Sequence, residues 1–330
     1  MTYNTNHLKN TKILITGGTG TFGKAFTYKL LSSEPSVNIT IFSRDEYKQY
    51  HFKNELKSHF PNNNVKFVLG DIRDSQKVSS VTKDIQYIIH AAAQKQVPSC
   101  EENIDEAIKT NIIGALNIYN AAIQNKVKKV ISLSTDKAVE PINLYGATKM
   151  ISDKVLLQKG GDTIFSVVRY GNVANSRGSV IPLFKDITFS RKNVYPVTDC
   201  RMTRFWIDVN KATEIALTAL VNAKSGEIYV AKLPSFRITD LVYAFNSNAN
   251  IEEIGIREGE KIHEVLISSN DALKTCETED LYIIYPSVEA ANKSINKRVK
   301  PDFYYASNNN PDFLSVNDIH ELLIENEILY

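Results

Sequence analysis

Lys12-Ile13-Leu14-Ile15-Thr16 is an apolar run of strand length that empties into Gly17-Gly18-Thr19-Gly20-Thr21-Phe22-Gly23, and a helical run from Lys24 to Leu31 follows at once. Few folds place so many glycines between a strand and a helix. Glycines at 17, 20 and 23 let the backbone turn sharply, let a pyrophosphate approach the main chain and let the helix pack closely on the sheet. The helix N-terminus then turns its unpaired amides toward the phosphates. This order predicts the opening unit of a dinucleotide-binding parallel sheet, with Thr16, Gly17, Gly20, Thr21, Phe22 and Gly23 at the cofactor.

The next strand, Val37 to Phe42, ends at Ser43-Arg44-Asp45-Glu46, roughly twenty residues past the last glycine, where a ribose-reading residue is expected. An acid directly after the strand would bind a free 2'-hydroxyl. Ser43 and Arg44, with Lys48 nearby, suit a 2'-phosphate instead. NADP is therefore expected over NAD, although Asp45 or Glu46 can swing toward the ribose.

The strand pattern repeats. Val65 to Leu69 leads to Gly70-Asp71-Ile72, Ile85 to His90 leads to Ala91-Ala92-Ala93, and Val130 to Ser134 leads to Thr135-Asp136-Lys137. Ligands of an open parallel sheet lie beyond the carboxyl ends of its strands. Asp71 and Ile72 are thus expected beside an adenine, Ala91, Ala92 and Ala93 beneath the cofactor, and Thr135 to Lys137 at the nicotinamide. Tyr145 and Lys149, four residues apart on a helix running to about Gln158, share one face. An ammonium beneath the phenol favours its phenolate, a usable base.

Past the strand Ile164 to Arg169 the alternation weakens, and arginines and aromatics become prominent in Asn175 to Ser179, Met202 to Trp206 and Gly255 to Lys261. This reads as a smaller substrate domain. The expected division is 1–175 for the Rossmann domain, with 203–232 returning to it, and 176–202 plus 233–330 for the substrate. Arginines clamp a diphosphate bidentately, and Arg204 needs a partner beside Phe205 and Trp206.

A chain of 330 residues with 43% apolar residues can bury a large core in about two domains. A net charge of +2 gives no footprint for nucleic acid. Cys100, Cys200 and Cys276 are too scattered for a disulfide framework, and no histidine spacing suits zinc, so no metal is expected. His90 and His263 read as structural. The N-terminus is polar and no run is long enough for a membrane span, which leads to the expectation of a soluble, cytoplasmic protein.

The glycine turn, Ser43 to Glu46, Gly70 to Asp74, Ser134 to Lys137, Pro141 to Lys149, Arg169 to Val173, Met202 to Ile207 and Gly255 to Glu264 together resemble the inverting UDP-N-acetylglucosamine 4,6-dehydratases that open pseudaminic acid synthesis, members of the extended short-chain dehydrogenase/reductase superfamily. The resemblance spans nearly the whole chain. It implies an α/β, doubly wound parallel sheet, a homo-oligomer, UDP-N-acetylglucosamine as substrate and a tightly bound NADP regenerated each turnover. Tyr145, assisted by Lys149, would take the proton of the sugar 4-hydroxyl during oxidation at C4, with Thr135 holding that oxygen. Asp136 would be the acid for the departing 6-hydroxyl and Lys137 the base at C5, which requires Asp136 protonated and Lys137 neutral. Lys137, Tyr145 and water all remain open as the donor that reprotonates C5 from the opposite face.

The resemblance also implies substrate contacts from Lys95, Asp136, Tyr145, Asn172, Arg177, Arg204, Arg257 and Glu260, with Lys95 reaching the cofactor as well. Retaining dehydratases carry Asp-Glu where this chain has Asp136-Lys137, which ties Lys137 to the inverted outcome. Gln94-Lys95-Gln96 departs from the Leu-Lys-His of the inverting enzymes. A UDP-N-acetylhexosamine 4-epimerase would use the same Tyr145 and Lys149 but needs no acid and base at C6 and C5. An ordinary oxidoreductase would release reduced cofactor, and a non-catalytic NADP-sensing protein would need neither pair.

Overall fold

A computed structural model describes residues 5–176 and 179–329. In β1 (Lys12–Thr16), Ile13 and Ile15 enter one apolar cluster and Leu14 enters another. Both faces of the strand are therefore buried, as a parallel sheet covered by helices requires. β2 (Asn38–Ser43), β3 (Asn64–Leu69), β4 (Tyr87–His90), β5 (Lys129–Thr135), β6 (Ile164–Tyr170) and β7 (Ile228–Ala231) pair parallel with it in the order β3-β2-β1-β4-β5-β6-β7.

Helices that cover this sheet include α1 (Thr21–Ser33), α2 (Glu46–His59), α3 (Ser75–Val81), α4 (Gly114–Gln124), α5 (Leu144–Leu156) and α6 (Val209–Asn222). Phe26 and Leu30 of α1, Phe52 of α2 and Leu217 of α6 pack on one face of the sheet, and Val78 of α3, Ile118 of α4 and Leu156 of α5 on the other. Short polar side chains set where several of these helices start. Asp45, Asp74, Asn143 and Asp208 each accept the main-chain N–H three residues on, at 2.7–2.9 Å. The chain builds outward from β1 to β3, then crosses to the far side of β1 to lay down β4, and this reversal opens a crevice at the carboxyl ends of β1 and β4.

Residues 275–298 depart from the expected division. Leu281–Ile284 pairs antiparallel with β7, Thr275–Glu277 pairs with that strand, and Lys297–Arg298 closes the row, completing a ten-stranded sheet among the described residues. The stretch expected in the substrate domain instead covers what would be an open edge at β7.

A second apolar core stands apart. Phe184, Tyr195, Trp206, Leu241, Phe245, Ile319 and Leu323 meet in it. They come from three separate stretches of chain, one before β7 and two after it. Within this core Val194–Val197 pairs with Asn250–Glu253, while Thr203–Phe205 pairs with Ser235–Arg237 beside it.

Candidate active site

A cleft of about 1160 Å³ runs from the start of α1, across the ends of the central strands, to the segment around residues 257–264. Gly17 has φ +65°, and a Cβ there would stand 2.8 Å from Ala92 N. Any side chain would block the approach of the β1 turn to the β4 turn. Beneath it, Thr16 Oγ1 lies 2.8 Å from His90 Nδ1 and accepts from Ala92 N at 3.3 Å. The first turn of α1 contains no acidic residue, so its unpaired amides and positive dipole end meet the cleft unopposed. This cradle fits a dinucleotide pyrophosphate.

Ser43, Arg44 and Lys48 line the same end of the cleft. Asp45 lies there too, but its carboxylate is engaged, accepting from Lys48 N at 2.9 Å and pairing with Lys48 Nζ at 2.7 Å. Asp71 receives Arg73 Nε at 2.9 Å and Nη2 at 2.7 Å, with Arg44 Nη1 at 3.5 Å. Burial would raise its pKa, but these cations outweigh it and the carboxyl is held below its usual range.

The end of β5 delivers the chemistry. Asp136 is fully buried, and its Oδ1 accepts from Thr135 Oγ1 at 2.9 Å and from Lys137 Nζ at 3.2 Å, while Oδ2 has no partner. Lys137 Nζ also donates to Asn172 Oδ1 at 3.1 Å and to Glu264 Oε1 at 2.8 Å. Burial and the nearby Glu264 charge push Asp136 up, against the pull of Lys137. Glu264 moves the other way, because Lys137 and Arg204 overcome its burial and hold it ionised. Of two carboxylates sharing one ammonium, Asp136 is the one whose surroundings favour the protonated form.

Two expectations change here. Burial alone would lower Lys137, but Asp136 and Glu264 raise its pKa, so the side chain required neutral is held charged in this arrangement. The phenol of Tyr145 is raised, chiefly by burial, against the Lys137 charge and a Thr135 hydrogen bond that draw it down. Lys149 Nζ instead donates to Leu133 O at 2.8 Å, and burial lowers its pKa against the Asp153 charge.

Most of the expected residues share the cleft wall: Gly17, Gly20, Thr21, Phe22, Gly23, Ser43, Arg44, Lys48, Ile72, Ala91, Ala92, Ala93, Lys95, Thr135, Lys137, Tyr145, Lys149, Asn172, Arg204, Arg257 and Glu260. Thr16, Asp71 and Asp136 stand behind that wall. Arg177 lies outside the described residues. Arg204 finds its partners within the protein, donating to Thr203 O at 2.8 Å and Ile262 O at 2.9 Å and approaching Glu260 Oε1 at 3.5 Å. His263 is structural, with Nδ1 at 2.8 Å from Thr203 Oγ1.

Glu264 is the residue that sequence reasoning passed over. Its signal is a lone acid leading into the apolar run Val265-Leu266-Ile267. Asn111 was passed over as well. Buried, it accepts from Gln94 N at 2.8 Å and donates to Gln94 O at 2.9 Å and Thr148 Oγ1 at 3.0 Å, tying the segment that carries Lys95 to α5.

The glycine turn, the parallel sheet and the Tyr145–Lys149 pair at its edge define a chain of the short-chain dehydrogenase/reductase class. Residues 13–286 match the family described as polysaccharide biosynthesis protein, and the chain belongs to that family. It is 44% identical over 330 residues to a UDP-N-acetylglucosamine 4,6-dehydratase (inverting) of Campylobacter jejuni, a match covering 96% of this chain and 98% of the relative. It is 42% identical over 284 residues to a UDP-glucose 4-epimerase of Rickettsia conorii, covering 82% of each. The X-ray structure of Pen from Bacillus thuringiensis superposes with a TM-score of 0.87 at 36% identity, covering 96% of this chain and 99% of Pen.

Proposed function

We propose that this chain is a lyase catalysing the inverting 4,6-dehydration of UDP-N-acetylglucosamine, giving UDP-2-acetamido-2,6-dideoxy-β-L-arabino-hexos-4-ulose. The observation that carries the reading is Lys137, which opens with Tyr145 onto one cleft and lies 3.2 Å from the carboxylate of Asp136 buried behind its wall. The similarity to the Campylobacter jejuni dehydratase over nearly the whole of both chains supports it.

NADP, held at the β1 turn and by Ser43, Arg44 and Lys48, would supply reversible hydride transfer. Tyr145 and Thr135 hold O4, and the Lys137 charge with the Thr135 hydrogen bond pulls the phenol back toward ionisation against its burial, the direction a base at O4 needs. Protonated Asp136 gives its proton to the departing 6-hydroxyl, which leaves as water. Lys137 acts at C5 once its own proton has moved to a neighbouring carboxylate. Asn172, Arg204, Arg257 and Glu260, with Lys95, hold the uridine diphosphate. The occupied carboxylate of Asp45, with Ser43, Arg44 and Lys48 on the same stretch of cleft wall, supports NADP over NAD.

The product suits the first step of pseudaminic acid or related surface-glycan synthesis. We place the enzyme in the cytoplasm, a reading supported by the free thiols of Cys100, Cys200 and Cys276. Among the described residues no helix is long and apolar enough to cross a membrane. A homo-oligomer is supported by large exposed apolar side chains such as Ile104 and Ile151.

A 4-epimerase is the second reading, favoured by the Rickettsia conorii relative. Incubation with UDP-N-acetylglucosamine in deuterated water separates the two. Loss of one water, deuterium at C5 and an L-configured ring by mass spectrometry and NMR is the expected result. Unchanged mass with an inverted C4 establishes the epimerase, and accumulating NADPH establishes net oxidation. Lys137→Glu is expected to abolish inversion, and dehydration with inversion at the wild-type rate in that variant removes Lys137 from the mechanism.

A further inference from the structure

Glu264 comes from a different part of the chain, 127 residues beyond Lys137, and meets the cluster at that amine. It is 1% exposed, its main-chain N–H donates to Ser307 Oγ at 2.9 Å, and Oε1 receives Lys137 Nζ at 2.8 Å while Oε2 has no partner. A buried carboxylate is costly unless its charge is used or compensated. Here it is placed on the one amine that also touches the candidate acid.

We propose that Glu264 is a positioning residue of the acid–base pair: it holds Lys137 beside Asp136 and accepts the Lys137 proton when C5 is to be deprotonated. The inference rests on the dehydratase reading. The transfer breaks one N–H bond of the ammonium, forms one O–H bond on the carboxylate and involves no redox change. It leaves a neutral amine facing the sugar. Before the transfer, the ionised Glu264 divides the pull of Lys137 between two carboxylates, and its own charge favours the protonated form of Asp136. Arg204, Lys261 and Tyr145 are the other charged or titratable groups acting on this trio, and the Arg204 charge reinforces the ionised state of Glu264.

The test compares wild-type holoenzyme with E264Q and E264D on UDP-N-acetylglucosamine. Three quantities are measured: reduced nicotinamide in a single turnover, water loss by mass spectrometry, and the Asp136 carboxyl titration by carbon-13 NMR, assigned against D136N. In E264Q the amide cannot accept a proton, and Lys137 leans on Asp136 alone. Reduced nicotinamide should form at close to the wild-type rate and accumulate, while dehydration slows by about 100-fold or more, the usual scale of a lost proton-transfer partner. Asp136 should titrate at lower pH than in wild type, and E264D should recover part of both effects.

The inference is overturned if E264Q dehydrates at the wild-type rate, if C4 oxidation and dehydration fall together, or if the Asp136 titration does not move. Should E264Q fail to fold, the same three readouts on E264D decide. Wild-type enzyme that inverts C4 without losing water overturns the dehydratase reading instead, and the Asp136 titration then decides the place of Glu264 on its own.

Discussion

The side-chain amide of Asn143 is shared between α5 and the loop that carries Arg257 and Glu260: Oδ1 accepts from Gly146 N at 2.7 Å, and Nδ2 donates to Gly259 O at 2.7 Å. One residue thereby starts the helix that carries Tyr145 and Lys149 and anchors a wall of the cleft. Asn143→Ala should lower stability by about 1 kcal/mol through the lost cap and weaken UDP binding several-fold through the freed loop. Asn143→Asp keeps the acceptor and loses the donor, so stability should return while UDP binding stays weak. Thermal unfolding and calorimetric titration with UDP read the two effects separately.

Gly146 sits directly after Tyr145, and a Cβ there would fall 2.1 Å from Lys137 O. That neighbour is backbone and cannot rotate away. Gly146→Ala should therefore push the turn carrying Asp136 and Lys137 off α5, with a stability cost of about 1–3 kcal/mol and loss of dehydration. The prediction fails if the variant keeps wild-type turnover.

Cofactor choice should follow Arg44. A charged hydrogen bond is worth about 1.5–3 kcal/mol, so Arg44→Ala should cost roughly 10- to 100-fold in NADP affinity and little in NAD affinity. Fluorescence titration with both cofactors measures the ratio, and equal losses would remove Arg44 from 2'-phosphate recognition.

His90 predicts an acid limb in stability. Burial, aided by the Lys149 charge, lowers its pKa from 6.5 to about 3. Below pH 6.5 the unfolded chain takes up a proton that the folded protein refuses, so stability should fall between pH 6.5 and about 3, by at most about 1.4 kcal/mol per pH unit. His90→Asn should flatten that limb, which thermal unfolding across the pH range will reveal.

What could be read ahead was local. The β1 turn and the spacing of Tyr145 and Lys149 are set by neighbours a few positions apart, and the structure brings them to one edge. What could not be read depends on distance along the chain and on burial. Glu264 lies 127 residues from Lys137, and without it nothing in the segment Asp136-Lys137 says that the amine is charged. The phenol of Tyr145 follows the same logic, since spacing suggests a cation beneath it while burial decides its proton. Residues 275–298 were misplaced because their short, half-apolar strands carry no mark of which edge they cover.

The second core, gathered from three stretches of chain, has an evolutionary consequence. No single contiguous stretch of the gene encodes it, so recombination cannot lift it out as a cassette and graft it onto another sheet. Diversification of such a core must proceed by substitutions within each of its pieces, all of which have to remain compatible with the strands between them.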